Sequence, residues 1–217
     1  MQIAIVLYPG FTALDVVGPY SIFAGVPDAE IVFVAEDPGL VSSDLGSLSI
    51  EAVAGLDEVT SPDVVLIGGG PGQVHQMDDG PLHEWLRAVD RTSTWTTSAC
   101  TGALILAGAG LLDGRHATTH WGAREQLAVH GAISSDDRVV VDGKYATAAG
   151  VSAGIDLALT LVGIMSGDEV AQTVQLLHEY APEPPYDGGS LESAPDAIIE
   201  RAHQMLGSRV DTLRGPS

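Results

Sequence analysis

The sequence predicts an α/β fold in which a mostly parallel sheet is sandwiched by helices. Runs of apolar and β-branched residues, such as residues 2–8 and 63–67, are typical of parallel strands that are covered on both faces. Segments with apolar positions at helical spacing alternate with these runs, and polar residues stand where the strands end. Alternation of this kind indicates helices packed on an open sheet.

The predicted elements follow one another in a regular order. Strands are predicted at residues 2–8, 30–36, 63–67, 95–99 and 115–121, with a short extended segment near 47–50. Helices are predicted at residues 13–23, 81–89, 101–108, 149–162, 168–180 and 197–206, and a further helix carries Glu125 and Leu127. The pair Asp142-Gly143 stands between two extended runs, which predicts a hairpin over residues 138–147.

Composition limits the classes of function. The formal net charge is −20 and only nine Lys and Arg occur among 217 residues, so neither nucleic acid nor a membrane surface is an expected partner. Cys100 is the only cysteine, which excludes an intramolecular disulfide and a zinc site built from several cysteines. No His or carboxylate spacing predicts another metal site.

The chain begins directly with a predicted strand and has no signal-peptide pattern. No apolar run reaches the roughly 20 residues that a membrane helix needs. We therefore expect a cytoplasmic protein with a single α/β domain over residues 1–217, in which residues 207–217 form a disordered tail.

The candidate nucleophile is Cys100. It lies between the predicted strand at 95–99 and the helix that begins at Thr101, and its small neighbours Ala99 and Gly102 permit a tight turn. A strand-to-helix turn of this kind is a nucleophile elbow. The N–H groups at the start of the helix favour a thiolate over a thiol. The alternative is that Cys100 is a buried apolar filler, as many cysteines are.

Asp15 is the candidate acid. It follows the first strand and stands in apolar surroundings near the start of a helix. Ligand sites of open α/β sheets lie at the carboxyl ends of the strands, where Cys100 is also expected. The alternative is that Asp15 only caps the helix.

Two further features follow strand ends. Gly68–Gly72 lacks the spacing of a dinucleotide fingerprint and of a P-loop. Its amides, at Gly69 and Gly70, could bind an oxyanion opposite Cys100, or the segment could be only a tight turn. His120 is a candidate neighbour of the site and a less favoured candidate base, and its alternative is a structural role.

Five ordered motifs resemble the ThiJ/PfpI superfamily over roughly residues 1–180. They are Tyr8-Pro9-Gly10-Phe11 with Leu14-Asp15 and Gly18-Pro19, Gly68-Gly69-Gly70, Ala99-Cys100-Thr101-Gly102, Thr118-Thr119-His120-Trp121, and residues 149–156. The resemblance implies the flavodoxin-like sandwich of class I glutamine amidotransferases and a homodimer. It also implies that Cys100 is the nucleophile and Asp15 the acidic residue beside it.

Within the superfamily, the motif details favour one activity. Thr101 stands where protease-like and glyoxalase-like members carry histidine, and Asp15 stands where redox-sensor members carry glutamate. The combination most resembles members that hydrate isocyanides to N-substituted formamides. This resemblance implies that Thr101 orients water or substrate, that Gly150 and Val151 line the site, and that no cofactor is needed. A non-enzymatic cysteine oxidation sensor and a glyoxalase or amidase activity are the alternatives.

Overall fold

The computed structural model describes residues 1–214, and the chain divides into two compact units, residues 1–178 and 179–217. The first unit contains all the strands of the described residues and six α-helices. Its strands are β1 (Gln2–Val6), β2 (Glu30–Ala35), β3 (Gly39–Ser42), β4 (Ser49–Ala52), β5 (Ala54–Gly55), β6 (Val64–Ile67), β7 (Trp95–Ala99), β8 (His116–Ala117), β9 (Ile133–Ser134), β10 (Val139–Asp142) and β11 (Tyr145–Ala148). Its helices are α1 (Ala13–Phe23), α2 (Pro81–Asp90), α3 (Gly102–Gly108), α4 (Arg124–Val129), α5 (Ala153–Ser166) and α6 (Asp168–Leu177).

Seven of the strands form the central sheet, in the order β10-β11-β7-β6-β1-β2-β5. All neighbouring pairs are parallel except β10 and β11, which form the predicted antiparallel hairpin at one edge. Gly143 takes the positive φ of 63° that the turn of this hairpin requires. The flavodoxin-like fold, a mostly parallel sheet flanked by helices, is therefore confirmed.

The sequences of the inner strands β1 and β6 are apolar without alternation because both faces of these strands are buried. Ile3, Ile5 and every residue of β6 are fully buried, since helices cover both faces of the sheet. The ends of β1, β6 and β7 are neighbours because these strands pair in register. Loops that follow these three strands therefore meet at one edge of the sheet, as the sequence predicted for Asp15 and Cys100.

Helices α1 and α5 pack closely through small residues. A Cβ atom built on Gly18 would lie 3.0 Å from Ile155, and one on Gly154 would lie 3.0 Å from Pro19 and 3.3 Å from Ala99. This close approach brings the N-terminal ends of α1 and α5 toward the end of β7. Both helix starts can therefore contribute groups to a site at Cys100.

The second unit contains α7 (Asp196–Arg214) and no strand among its described residues. The prediction of one α/β domain over residues 1–217 thus describes the first unit, and its extension to the second stays a prediction.

The predicted disordered tail differs from the structure over residues 207–214, which continue α7, and residues 215–217 lie outside the described residues. Neither α7 nor another helix of the described residues is long and apolar enough to cross a membrane.

Gly102, the first residue of α3, tests how tightly the helix is packed onto the sheet. A Cβ atom there would collide with the Ile67 carbonyl oxygen, which belongs to a buried strand and has no room to move. We expect Gly102→Ala to lower the free energy of unfolding by about 1–3 kcal/mol, measured by urea titration.

Gly163→Ala is the matched control, because a Cβ at this position of α5 meets its neighbours at 3.6 Å or more. Removal of a glycine from a helix interior should leave stability unchanged or raise it by up to about 1 kcal/mol. Equal destabilisation by both substitutions would show that the contact at Ile67 is not the cause.

Candidate active site

The turn after β7 holds Cys100 in the geometry of an elbow. Its φ is +55°, a conformation that residues with a Cβ rarely adopt, and its side chain is buried. The Cys100 N–H donates to the carbonyl oxygens of Ala148 and Ala149 at 3.1 and 3.0 Å, and its own carbonyl accepts the Thr119 hydroxyl at 2.8 Å. Hydrogen bonds on both sides of the residue thus hold the strained turn in place.

Asp15 lies in the first turn of α1 and is completely buried. Its Oδ2 accepts the N–H of Gly69 at 2.9 Å, whereas its Oδ1 has no hydrogen-bond partner among the described residues. Thr12, and not Asp15, is the N-cap residue of α1. The alternative that Asp15 is a helix cap is therefore wrong, because the carboxylate points to the loop after β6.

Burial changes the acidity of Asp15 strongly. It raises the pKa of the carboxyl group to about 7, with a smaller increase from the negative charge of Asp44. The Gly69 N–H and an interaction with the Cys100 side chain act in the opposite direction. The carboxyl group can therefore gain and lose a proton near neutral pH.

Burial and the charge of Asp15 also raise the pKa of the Cys100 thiol, although the N–H groups of Val151 and Thr101 lower it. The prediction that helix N–H groups favour a resting thiolate is thus only half right. The N–H groups are present, but desolvation and the neighbouring carboxylate outweigh them. Cys100 rests as a thiol whose sulfur already has two backbone donors.

The glycine segment supports the site in a different way from the one predicted. The Gly69 N–H is occupied by Asp15, and the Gly70 N–H donates to Thr101 Oγ1 at 3.0 Å. Neither amide is free to bind an oxyanion, because both already hold side chains. The donors beside the sulfur come instead from Thr101 and Val151.

Gly150 and Val151, which the resemblance assigned to the lining of the site, lie just before α5. Val151 has a φ of +25°, which a β-branched residue rarely adopts, and its N–H lowers the pKa of the Cys100 thiol. A Cβ on Gly150 would lie 2.8 Å from the ring of His120. His120 therefore covers Gly150 and is a neighbour of the site.

A role of His120 as a base has no support from its surroundings. Its Nδ1 accepts the Gly122 N–H at 3.2 Å, which makes it the cap of a short 3-10 helix. Burial, followed by the nearby charge of Arg124, lowers the pKa of the imidazole. The ring is thus neutral near pH 7, and no hydrogen bond joins it to Cys100 within residues 1–214.

Two residues of the site were not assigned to it from the sequence. Tyr8, which follows β1, is buried and donates its hydroxyl to the Gly68 carbonyl at 2.8 Å. Asp44, in the turn between β3 and β4, accepts the Thr12 hydroxyl at 3.3 Å and acts on Asp15 by its charge. Tyr8 could have been found as a hydroxyl at the end of a central strand, whereas Asp44 had no such signal.

Among residues 1–214, no three His, Cys, Asp or Glu residues lie close enough together to hold a metal ion. The site therefore consists of a thiol, a carboxyl group of near-neutral pKa, the Thr101 hydroxyl and backbone N–H groups. Such a set can form and break a covalent bond to sulfur and can move protons to and from the bound group.

Comparison with known proteins shows the family of the chain. The chain is 40% identical to an isonitrile hydratase of Pseudomonas putida, over 94% of this chain and 89% of that protein. It is 32% identical to the HTH-type transcriptional regulator CdhR of Pseudomonas aeruginosa, over 65% of this chain and 42% of the regulator. A solved ThiJ/PfpI family protein from Pseudomonas syringae superposes with a TM-score of 0.92 at 35% identity, covering 99% of this chain and 90% of that one. Residues 1–163 match the DJ-1/PfpI family, and the chain belongs to that family.

Proposed function

We propose that this protein is an isocyanide hydratase, which adds water to an isocyanide and releases an N-substituted formamide. The observation that carries the proposal is the buried Asp15 carboxyl, which interacts with Cys100 and has a pKa of about 7. The reaction needs one group that gives and takes several protons beside a nucleophile. The 40% identity to an isonitrile hydratase over most of both chains supports the choice of substrate.

The first half of the reaction forms a carbon–sulfur bond. Ionised Asp15 takes the thiol proton of Cys100, and the sulfur attacks the terminal isocyanide carbon. This addition leaves an electron pair on the same carbon, which then takes the proton back from Asp15. The product is a thioimidate, R–N=CH–S, on Cys100.

The second half is hydrolysis. Asp15 takes a proton from a water molecule whose oxygen attacks the thioimidate carbon, and passes that proton to the nitrogen. The carbon–sulfur bond of the tetrahedral adduct then breaks, and the hydroxyl proton returns through Asp15 to the sulfur. The formamide R–NH–CHO leaves, and both residues regain their starting protonation states.

Backbone donors assist both halves. The N–H groups of Thr101 and Val151 stabilise negative charge on the sulfur, at the attack and again when the bond breaks. The Thr101 hydroxyl accepts the Gly70 N–H at 3.0 Å, so its oxygen is held in one place. We propose that it orients the attacking water.

The alternatives have less support. An oxidation sensor works through an exposed thiolate, whereas Cys100 is only 5% exposed and burial raises the pKa of its thiol. The case for hydrolysis of amides or glyoxals is weakened because Thr101 stands in place of histidine.

A homodimer and a cytoplasmic location, which the sequence led us to expect, stay predictions.

Formamide production from an alkyl or aryl isocyanide, followed by absorbance, tests the proposal. We expect Cys100→Ala to abolish turnover, and Asp15→Asn to lower kcat by about 10²–10⁴-fold, because an amide transfers no proton. The matched control is Asp63→Asn. Asp63 accepts a backbone N–H at 2.7 Å, as Asp15 does, but precedes β6 at the opposite end of the strand.

The control should keep the wild-type rate. If the wild type makes no formamide while peroxide adds two oxygen atoms to Cys100 by intact mass, the protein is a sensor and the proposal fails.

The pH dependence of kcat/KM gives a second test. Asp15 must be ionised to accept the thiol proton, and its pKa is raised from 3.8 to about 7. We therefore expect kcat/KM to fall tenfold per pH unit below about pH 7 and to level off above it. A rate that stays constant from about pH 5 to about pH 8 would contradict the assigned role of Asp15.

A further inference from the structure

A single peptide group links Tyr8 to Asp15. Its carbonyl oxygen, on Gly68, accepts the Tyr8 hydroxyl at 2.8 Å, and its N–H, on Gly69, donates to Asp15 Oδ2 at 2.9 Å. Because the atoms of a peptide group are coplanar, a hydrogen bond at the oxygen restrains the direction of the N–H. We propose that Tyr8 is a positioning residue, which orients and strengthens the hydrogen bond from Gly69 to Asp15.

The next peptide group repeats the arrangement. Its carbonyl oxygen, on Gly69, accepts the Thr12 N–H at 2.8 Å, and its N–H, on Gly70, donates to Thr101 Oγ1 at 3.0 Å. Two successive peptide groups are thus held on the oxygen side by the segment between β1 and α1. Each of them donates from its nitrogen to a side chain of the site.

Glycine is required for this arrangement. A Cβ on Gly68 would lie 3.0 Å from the Asp15 Cβ, and one on Gly69 would collide with the backbone nitrogen of Thr101. The backbone thus approaches both residues as closely as it can. With no side chains of their own to anchor them, these peptide groups depend on hydrogen bonds to keep their orientation.

Tyr8 also acts on the strength of the donor. A hydroxyl that donates to a carbonyl oxygen polarises the peptide group and makes its N–H a better donor. Burial, together with the negative charges of Asp15 and Cys100, raises the pKa of Tyr8 well above its ordinary value. The hydroxyl therefore keeps its proton, and its role as donor, throughout the working pH range.

The effect on Asp15 has a definite sign. The charged and titratable groups that act on this carboxyl group are Cys100 from the elbow and Asp44 from the turn after β3. Tyr8 stays neutral and acts on Asp15 only through the peptide group of Gly68 and Gly69. After burial, the Gly69 N–H is the largest influence on the Asp15 pKa, and it lowers that pKa. A weaker or misdirected Gly69 N–H must therefore raise it.

Tyr8→Phe removes the hydroxyl and keeps the ring. We expect the Asp15 pKa, measured by NMR with carboxyl-¹³C aspartate and assigned with Asp15→Asn, to rise by about half a unit to one unit. The acidic limb of the kcat/KM profile should move upward equally. The matched control is Thr97→Val, since the Thr97 hydroxyl donates at the same 2.8 Å to the buried Val65 carbonyl, which lies on β6, the strand before Gly68, and away from Asp15.

An unchanged Asp15 titration in Tyr8→Phe, or an equal shift in Thr97→Val, would overturn the inference, because general loosening would then explain the result. Tyr8→3-fluorotyrosine should shift the Asp15 pKa in the opposite direction. Its more acidic hydroxyl is a stronger donor, so the Asp15 pKa should fall. If Tyr8→Phe does not fold, this variant decides, and an unchanged pKa in it overturns the inference.

The consequence for turnover rests on the proposed function, but the NMR titration needs no substrate. If the wild type does not turn over isocyanides while the Asp15 pKa shifts as expected, the proposed function fails and the role of Tyr8 stands. If the wild type turns over isocyanides and the Asp15 pKa does not shift, the proposed function stands and the role of Tyr8 fails.

Discussion

The structure of the site depends on one buried carboxyl group that has a single backbone hydrogen bond. Asp15 is removed from water, and only the Gly69 N–H compensates one of its oxygens by a regular hydrogen bond. A buried carboxylate with two or three donors would be a strong acid, and one with no donor would stay protonated. One donor leaves the proton affinity near neutral, so Asp15 can exchange protons with its neighbour.

The protonation of Cys100 is set by the same opposing effects of burial and backbone N–H groups. Cys100 has the N–H groups of Thr101 and Val151 beside its sulfur, yet burial and the charge of Asp15 keep it a thiol. In the proposed mechanism the two residues share one negative charge, which lies on Asp15 at rest and on the sulfur during the attack.

Backbone conformation makes these contacts possible. The positive φ angles of Cys100 and Val151 aim a side chain and an N–H at the same point, and the residues around the elbow hold the strained turn by hydrogen bonds. Glycines 68–70 let the loop after β6 approach α1 and the elbow more closely than any other residue would permit. The strained backbone and the closely approaching glycine loop therefore both lie at the site where the chemistry is proposed, as is common at functional sites.

The sequence by itself determined six of the seven strands of the central sheet, the edge hairpin at Asp142-Gly143 and the elbow at Cys100, because each depends on neighbouring residues and on local backbone preferences. It did not predict β3, β5 or β9, and the strand predicted at residues 115–121 is only the two-residue β8, which pairs with β9 outside the central sheet. Only the tertiary structure decided which N–H groups remain free, since the Gly69 and Gly70 donors are occupied by side chains 54 and 31 positions away. It also decided the pKa of Asp15, which follows from burial by several elements, and the place of Tyr8 and Asp44. Hydrogen-bond pairing and desolvation are sums over distant contacts, and a linear pattern does not contain them.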